Sequence, residues 1–133
     1  MPRTIQPDDT FVHQRECDPY RPIYYAAASG DFNPIHIDDA VARQVGLGGA
    51  ILQGMCTMAW GVEAAVNFLG DPGALKRCRV RFSKPVSPGD TLRFEGRVAA
   101  VDGARIRGEI VARNQKGEEV LKGAFEGELP EAR

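Results

Sequence analysis

The stretch Gly54–Leu69, GMCTMAWGVEAAVNFL, decides how this chain folds. Only Thr57, Glu63 and Asn67 interrupt its apolar character, and a helix apolar on nearly every side must be buried in the middle of something. Gly54 opens the run, and the turn GDPG (70–73) closes it. Met55, Met58 and Trp60 read first as core packing and second as the lining of a ligand pocket.

Downstream of that turn the chain is strand-like. Leu75–Val86 contains CRVRFSKPV, and Thr91–Val101 alternates, with Leu92, Phe94, Gly96, Val98 and Ala100 on one face and Arg93, Glu95 and Arg97 on the other. Ala104–Arg113 sets Ile106, Gly108, Ile110 and Ala112 against Arg105, Arg107 and Glu109, while Glu119–Leu129 turns Leu121, Phe125 and Leu129 inward. SPGD, VDG and NQKG supply the turn chemistry between them. Four antiparallel strands with one apolar face need a cover, and the long helix is the candidate. The fold expected is therefore one α+β domain over residues 1–133, an antiparallel sheet wrapped around a central helix. This is the hot-dog arrangement, whose exposed sheet edge commonly joins a second copy.

Upstream, Thr10–Cys17 adds a short β-prone run, in which His13 reads as a strand residue with a satisfied ring in preference to a second acid or base. Asp18–Ser29 (DPYRPIYYAAAS) reads as a helix with Asp18 as N-cap, Pro19 in the first turn and Gly30 as its stop. Asp38 and Asp39 both read as caps of a short helix that Gly46 ends.

Between these helices lies SGDFNPIH (29–36), which brings a carboxylate, a carboxamide and an imidazole into six residues. Pro34 fixes its own φ and pushes Asn33 towards extended backbone, so the segment is a bent loop from which Asp31, Asn33 and His36 can converge. A carboxylate beside an imidazole suits taking a proton from water and returning one to carbon. The same residue types also occur as plain turn formers. A glycine at the head of a helix, here Gly54, leaves backbone N–H groups open to a developing oxyanion. HxDD invites a metal, but its spacing matches no zinc or iron site, and no metal is expected.

The chain has 133 residues, 43% hydrophobic and 26% charged, with 17 basic and 18 acidic residues for a net charge of −1. That balance gives no support to general nucleic-acid or membrane-surface binding. Cys17, Cys56 and Cys78 are odd in number and not in CxxC pairs, so they read as reduced thiols. No apolar run approaches the roughly 20 residues that span a bilayer, and MPRTIQPDDT has no signal-peptide core; a cytoplasmic location is expected.

SGDFNPIH, the acidic pair after it and GLGGAILQGMCTMA (46–59) resemble the signature of the MaoC-like, (R)-specific enoyl-CoA hydratases. RFSKPVSPGDTL (81–92) resembles the strand and turn that follow the central helix in that family. The resemblance implies reversible addition of water to a trans-2-enoyl thioester, giving the (3R)-hydroxyacyl thioester. It also implies Asp31 and His36 as the dyad that activates water, Asn33 as a residue positioning that water, and Gly54 as the donor to the thioester carbonyl. Many family members carry His where this chain has Gln53, so an acid–base role for that side chain is absent here, although Gln53 stays a candidate substrate contact. Arg79 and Lys84, with Arg77 and Arg81, form a basic cluster that either meets substrate phosphates or is simply a solvated sheet face. No separate cofactor is implied, since coenzyme A is part of the substrate. The partners expected are an acyl-CoA or acyl-carrier-protein thioester and a second copy of the chain, or a second hot-dog subunit. A carrier-protein dehydratase subunit, a thioesterase and a thioester-binding protein without turnover stand as the other readings.

Overall fold

A computed structural model describes residues 4–130. Five strands run in the order β1-β3-β4-β5-β2, every neighbouring pair antiparallel. They are β1 (Thr10–Glu16), β2 (Leu75–Phe82), β3 (Thr91–Asp102), β4 (Arg105–Arg113) and β5 (Glu119–Glu128). The helices are α1 (Arg21–Ser29), α2 (Asp39–Gln44) and α3 (Gly54–Leu69), with 3₁₀ turns at Pro34–His36 and Pro72–Ala74. The run of apolar sequence at 54–69 is thus one helix with the bounds its glycines imply, closed by Gly70 at φ 81°, whose N–H donates to the Val66 carbonyl.

Alternation along the strands places Leu92, Phe94, Val98, Ile106, Ile110, Ala112, Leu121 and Phe125 beneath α3, which contributes Cys56, Trp60, Ala64, Ala65, Phe68 and Leu69. The side chains form two contiguous clusters, one around Trp60, Leu92 and Phe94 and one around Phe68, Val98 and Phe125. The inward glycines of the strands let rings in rather than merely thin the sheet. Gly96 pairs in register with Phe11, and Gly108 with Phe125. A Cβ at Gly96 would lie 2.0 Å from the Phe11 ring, and one at Gly108 2.3 Å from the Phe125 ring. Phe11 in turn stacks on Phe68 at 4.5 Å, which ties the first strand to the far end of α3.

Four expectations are corrected. Helix α1 begins at Arg21, with Tyr20 rather than Asp18 at the N-cap and Pro22 in its first turn; Asp18 accepts the Tyr20 N–H and pairs with Arg21 instead. Only Asp38 caps α2, through the Ala40 and Val41 N–H groups, because the Asp39 carboxylate turns away to accept the Ala50 N–H at 2.8 Å. The strand alternation slips at a bulge between Val98 and Ala100, which leaves Ala100 only half-buried. The His13 ring is not satisfied: its Nε2 is buried without a hydrogen bond, 3.4 Å from Glu63 Oε1. The three cysteines are free thiols, and burial pushes that of Cys17 up to about 12.

Candidate active site

Helix α1 ends at Gly30, whose φ of 80° turns the chain sharply into the Asp31 loop. Ser29 Oγ donates to the Tyr25 carbonyl and accepts the Asp31 N–H at 3.1 Å, which seats the first residue of the loop on the last turn of the helix. Asp31 Oδ1 accepts the Asn33 N–H at 3.3 Å, so its other oxygen is left for the site. Asn33 Oδ1 accepts the Ile35 N–H and caps the 3₁₀ turn that carries His36.

Asp31 Oδ2 lies 3.6 Å from His36 Nε2, beyond hydrogen-bonding distance. The His36 side chain is 9% exposed and that of Asp31 47%. His36 Nδ1 is 2.8 Å from the Ile51 carbonyl oxygen. A carbonyl only accepts, so Nδ1 carries a proton, and Nε2, an acceptor in the neutral tautomer, is the nitrogen turned towards Asp31. A carboxylate oxygen and an imidazole nitrogen therefore face one point. Ile51 is itself held, its N–H donating to the Ile35 carbonyl, and the next N–H, of Leu52, donates to the Val86 carbonyl beyond β2.

Two residues further on, Gly54 begins α3. Its N–H, in the first turn, has no acceptor among the described residues. A mainly apolar cavity of about 310 Å³ joins His36 to Gly54, with Ile51, Leu52, Thr57, Phe82, Lys84, Pro85, Val86 and Val120 also along it; Asp31 and Asn33 do not border it. The Phe82 ring roofs Gly54, 3.2 Å from where a Cβ would stand. The sequence signal for Phe82 was available, a large apolar residue ending a strand beside a proline-rich turn, but its contact with Gly54 is formed only by tertiary packing.

Of the other candidate residues, Lys84 alone borders the cavity. Met58 packs against the core and Trp60 belongs to it, under the Arg21 guanidinium 5.9 Å from the ring centre, while Met55 is exposed; none borders the cavity. Gln53 is 1% exposed, and its Nε2 donates to the Pro22 carbonyl at 2.8 Å and the Asp31 carbonyl at 3.5 Å. Lys84 borders the cavity and pairs with Glu118. Arg77, Arg79 and Arg81 share the exposed face of β2, as their alternation implies, and do not line the cavity. A larger recess of about 530 Å³ lies on the outer sheet among Lys76, Arg105, Arg107, Glu126 and Glu128, apart from the dyad. Among the described residues no group of three His, Cys, Asp or Glu could hold a metal ion.

The MaoC like domain matches residues 4–120 of the chain. Peroxisomal multifunctional enzyme type 2 of Drosophila melanogaster is 40% identical over 99 residues, 73% of this chain and 16% of that protein. A fatty acid synthase beta subunit of Emericella nidulans is 36% identical over 110 residues, 80% of this chain and 6% of that protein. The chain thus spans a small part of the curated relatives it matches. Among solved structures, the R-hydratase of Pseudomonas aeruginosa superposes with a TM-score of 0.87 at 29% identity, covering 96% of this chain and 84% of that one. The sheet-wrapped helix is accordingly the hot-dog fold, and the chain belongs to the MaoC-like domain family.

Proposed function

We propose that this protein is an (R)-specific hydratase, adding water reversibly to a trans-2-enoyl thioester through Asp31 and His36. The observation that carries the reading is the pair of acceptor atoms, Asp31 Oδ2 and His36 Nε2, 3.6 Å apart, with His36 sharing one apolar cavity with the Gly54 N–H. One water held between the two acceptors is polarised by both. Its oxygen bonds to the β-carbon and the dyad takes one of its protons. The π electrons move towards the thioester carbonyl, whose oxygen gains charge against the Gly54 amide at the positive end of α3. A proton then passes from the dyad to the α-carbon, so that one water is added in all. The resemblance to the R-hydratase of Pseudomonas aeruginosa supports this chemistry.

Asn33 supports the site by shaping its loop, since its carboxamide oxygen caps the His36 turn. Tyr20, Tyr24, Phe32, Met55 and Phe82 are large, exposed and apolar at the N-cap of α1, on α1, on the Asp31 loop, at the start of α3 and at the end of β2, which supports a second copy or a second hot-dog subunit covering that end. A carrier-protein thioester is the second reading of the substrate, favoured by the likeness to the fatty acid synthase beta subunit.

Hydration of crotonyl-CoA, read as loss of enoyl-thioester absorbance with chiral analysis of the product, tests the proposal. An (R)-3-hydroxy product is expected, with turnover falling by about 10³-fold or more in Asp31→Asn and His36→Ala. Near-parental turnover in either folded variant would remove the dyad from the mechanism. Turnover of a crotonyl carrier protein but not of the CoA ester would select the second reading.

A further inference from the structure

The side chain immediately before the Gly54 amide is wholly buried and polar. Gln53 lies at the N-cap of α3, yet it makes no side-chain cap. Its backbone carbonyl accepts the Cys56 N–H at 3.0 Å and so belongs to the first turn of the helix. The side chain reaches back instead, to carbonyl oxygens on α1 and on the Asp31 loop. Both neighbours are acceptors, so the amide orientation is settled: reversing it would set Oε1 against two carbonyl oxygens.

With Nε2 so placed, Gln53 Oε1 is buried and has no hydrogen-bond partner. An orphaned buried acceptor is costly, and an apolar residue of similar length would avoid that cost. What the carboxamide adds is a pair of N–H groups directed at two carbonyls, a donor that an apolar residue would take from both.

From this we infer that Gln53 is the positioning residue of the site. It clamps the Asp31 loop and α1 to the helix start that presents the Gly54 N–H, holding the water-activating half and the carbonyl-binding half in one register. The inference rests on the proposed hydration chemistry for its kinetic test, but not for its structural one. A single-donor side chain at this place would hold only one of the two carbonyls. The role is one of hydrogen-bond geometry rather than substrate contact, since Gln53 does not border the cavity.

The decisive comparison is Gln53→Met against the parental protein in crotonyl-CoA hydration. Loss of about a hundredfold in kcat, with KM changed by less than about threefold, is expected from a displaced acid–base group with an intact binding cavity. Gln53→Glu gives a second signature. The new carboxyl donates one hydrogen bond when protonated and repels both carbonyls when ionised, so its residual rate climbs as the pH falls, adding a limb absent from the parental profile. Parental kcat in Gln53→Met, or a Gln53→Glu profile parallel to the parental one, overturns the inference. Should the variants not fold, the parental protein itself decides: its Gln53 side-chain NH₂ resonances are expected to be protected from solvent exchange, and exchange at the rate of a free carboxamide overturns the clamp. A parental protein that hydrates no enoyl thioester counts against the proposed function alone, because the exchange measurement still judges Gln53.

Discussion

At Gly54, a single hydrogen atom in place of a methyl group decides how close an aromatic ring can come to the amide. A Cβ there would meet the Phe82 ring at 3.2 Å, and Phe82, 48% exposed, has room to give way. Gly54→Ala is accordingly expected to cost no more than about 1 kcal/mol in chemical denaturation, since the neighbour yields by a few tenths of an ångström. Its effect belongs to turnover, and Gly54→Ala combined with Phe82→Leu should recover part of the loss measured in the single variant. Gly123 is the contrasting case. A Cβ there would stand 2.1 Å from the Arg79 carbonyl oxygen, and a backbone atom in a paired strand cannot swing aside. Gly123→Ala is expected to destabilise by about 3 kcal/mol or more, read as a drop in the denaturation midpoint with β2 losing its amide protection first.

Helix α3 and strand β1 are joined by charge as well as by apolar packing. Arg15 grips Glu63 with its Nη2 at 2.6 and 2.7 Å from the two carboxylate oxygens, and His13 stands beside the same group. The Arg15 hydrogen bond holds the Glu63 carboxyl below its ordinary value of 4.5. The unfolded chain therefore takes up a proton at a higher pH than the folded one. The stabilisation is full above the ordinary value and is lost as the pH falls through the depressed one. Melting temperature should decline more steeply on acidification from about pH 5 to about pH 3 in the parental protein than in Glu63→Gln, and parallel curves would show the pair to be energetically idle.

At the scale of the whole molecule, Tyr20, Ile23, Tyr24, Phe32 and Met55 are large apolar residues left exposed at or beside α1, on the Asp31 loop and at the start of α3, the elements that hold the dyad. Association through those elements is expected to bury Tyr20, Tyr24 and Phe32. Paired Tyr24→Lys and Phe32→Lys substitutions should shift the species seen by light scattering to the single chain, whereas an unchanged mass would place the interface elsewhere. The fold beneath that surface was legible from residue order alone. Period-two alternation in Thr91–Val101, up to the bulge after Val98, and in Ala104–Arg113, together with the nearly all-round apolar character of Gly54–Leu69, describes faces that have to meet, because each buries what the other exposes. The SGDFNPIH loop was legible too, since Gly30 and Pro34 dictate local backbone without help from the rest of the chain. What only the tertiary structure decided were the contacts between segments distant in sequence: the Ile51 carbonyl that sets the His36 tautomer, the Phe82 ring over Gly54, the recruitment of Asp39 to the Ala50 loop in place of a helix cap, and the grip of Gln53 on Pro22 and Asp31. Periodicity records which face a residue turns to the core, whereas a hydrogen bond or ring contact across a cavity depends on where two separate elements come to rest, and no local pattern encodes that distance.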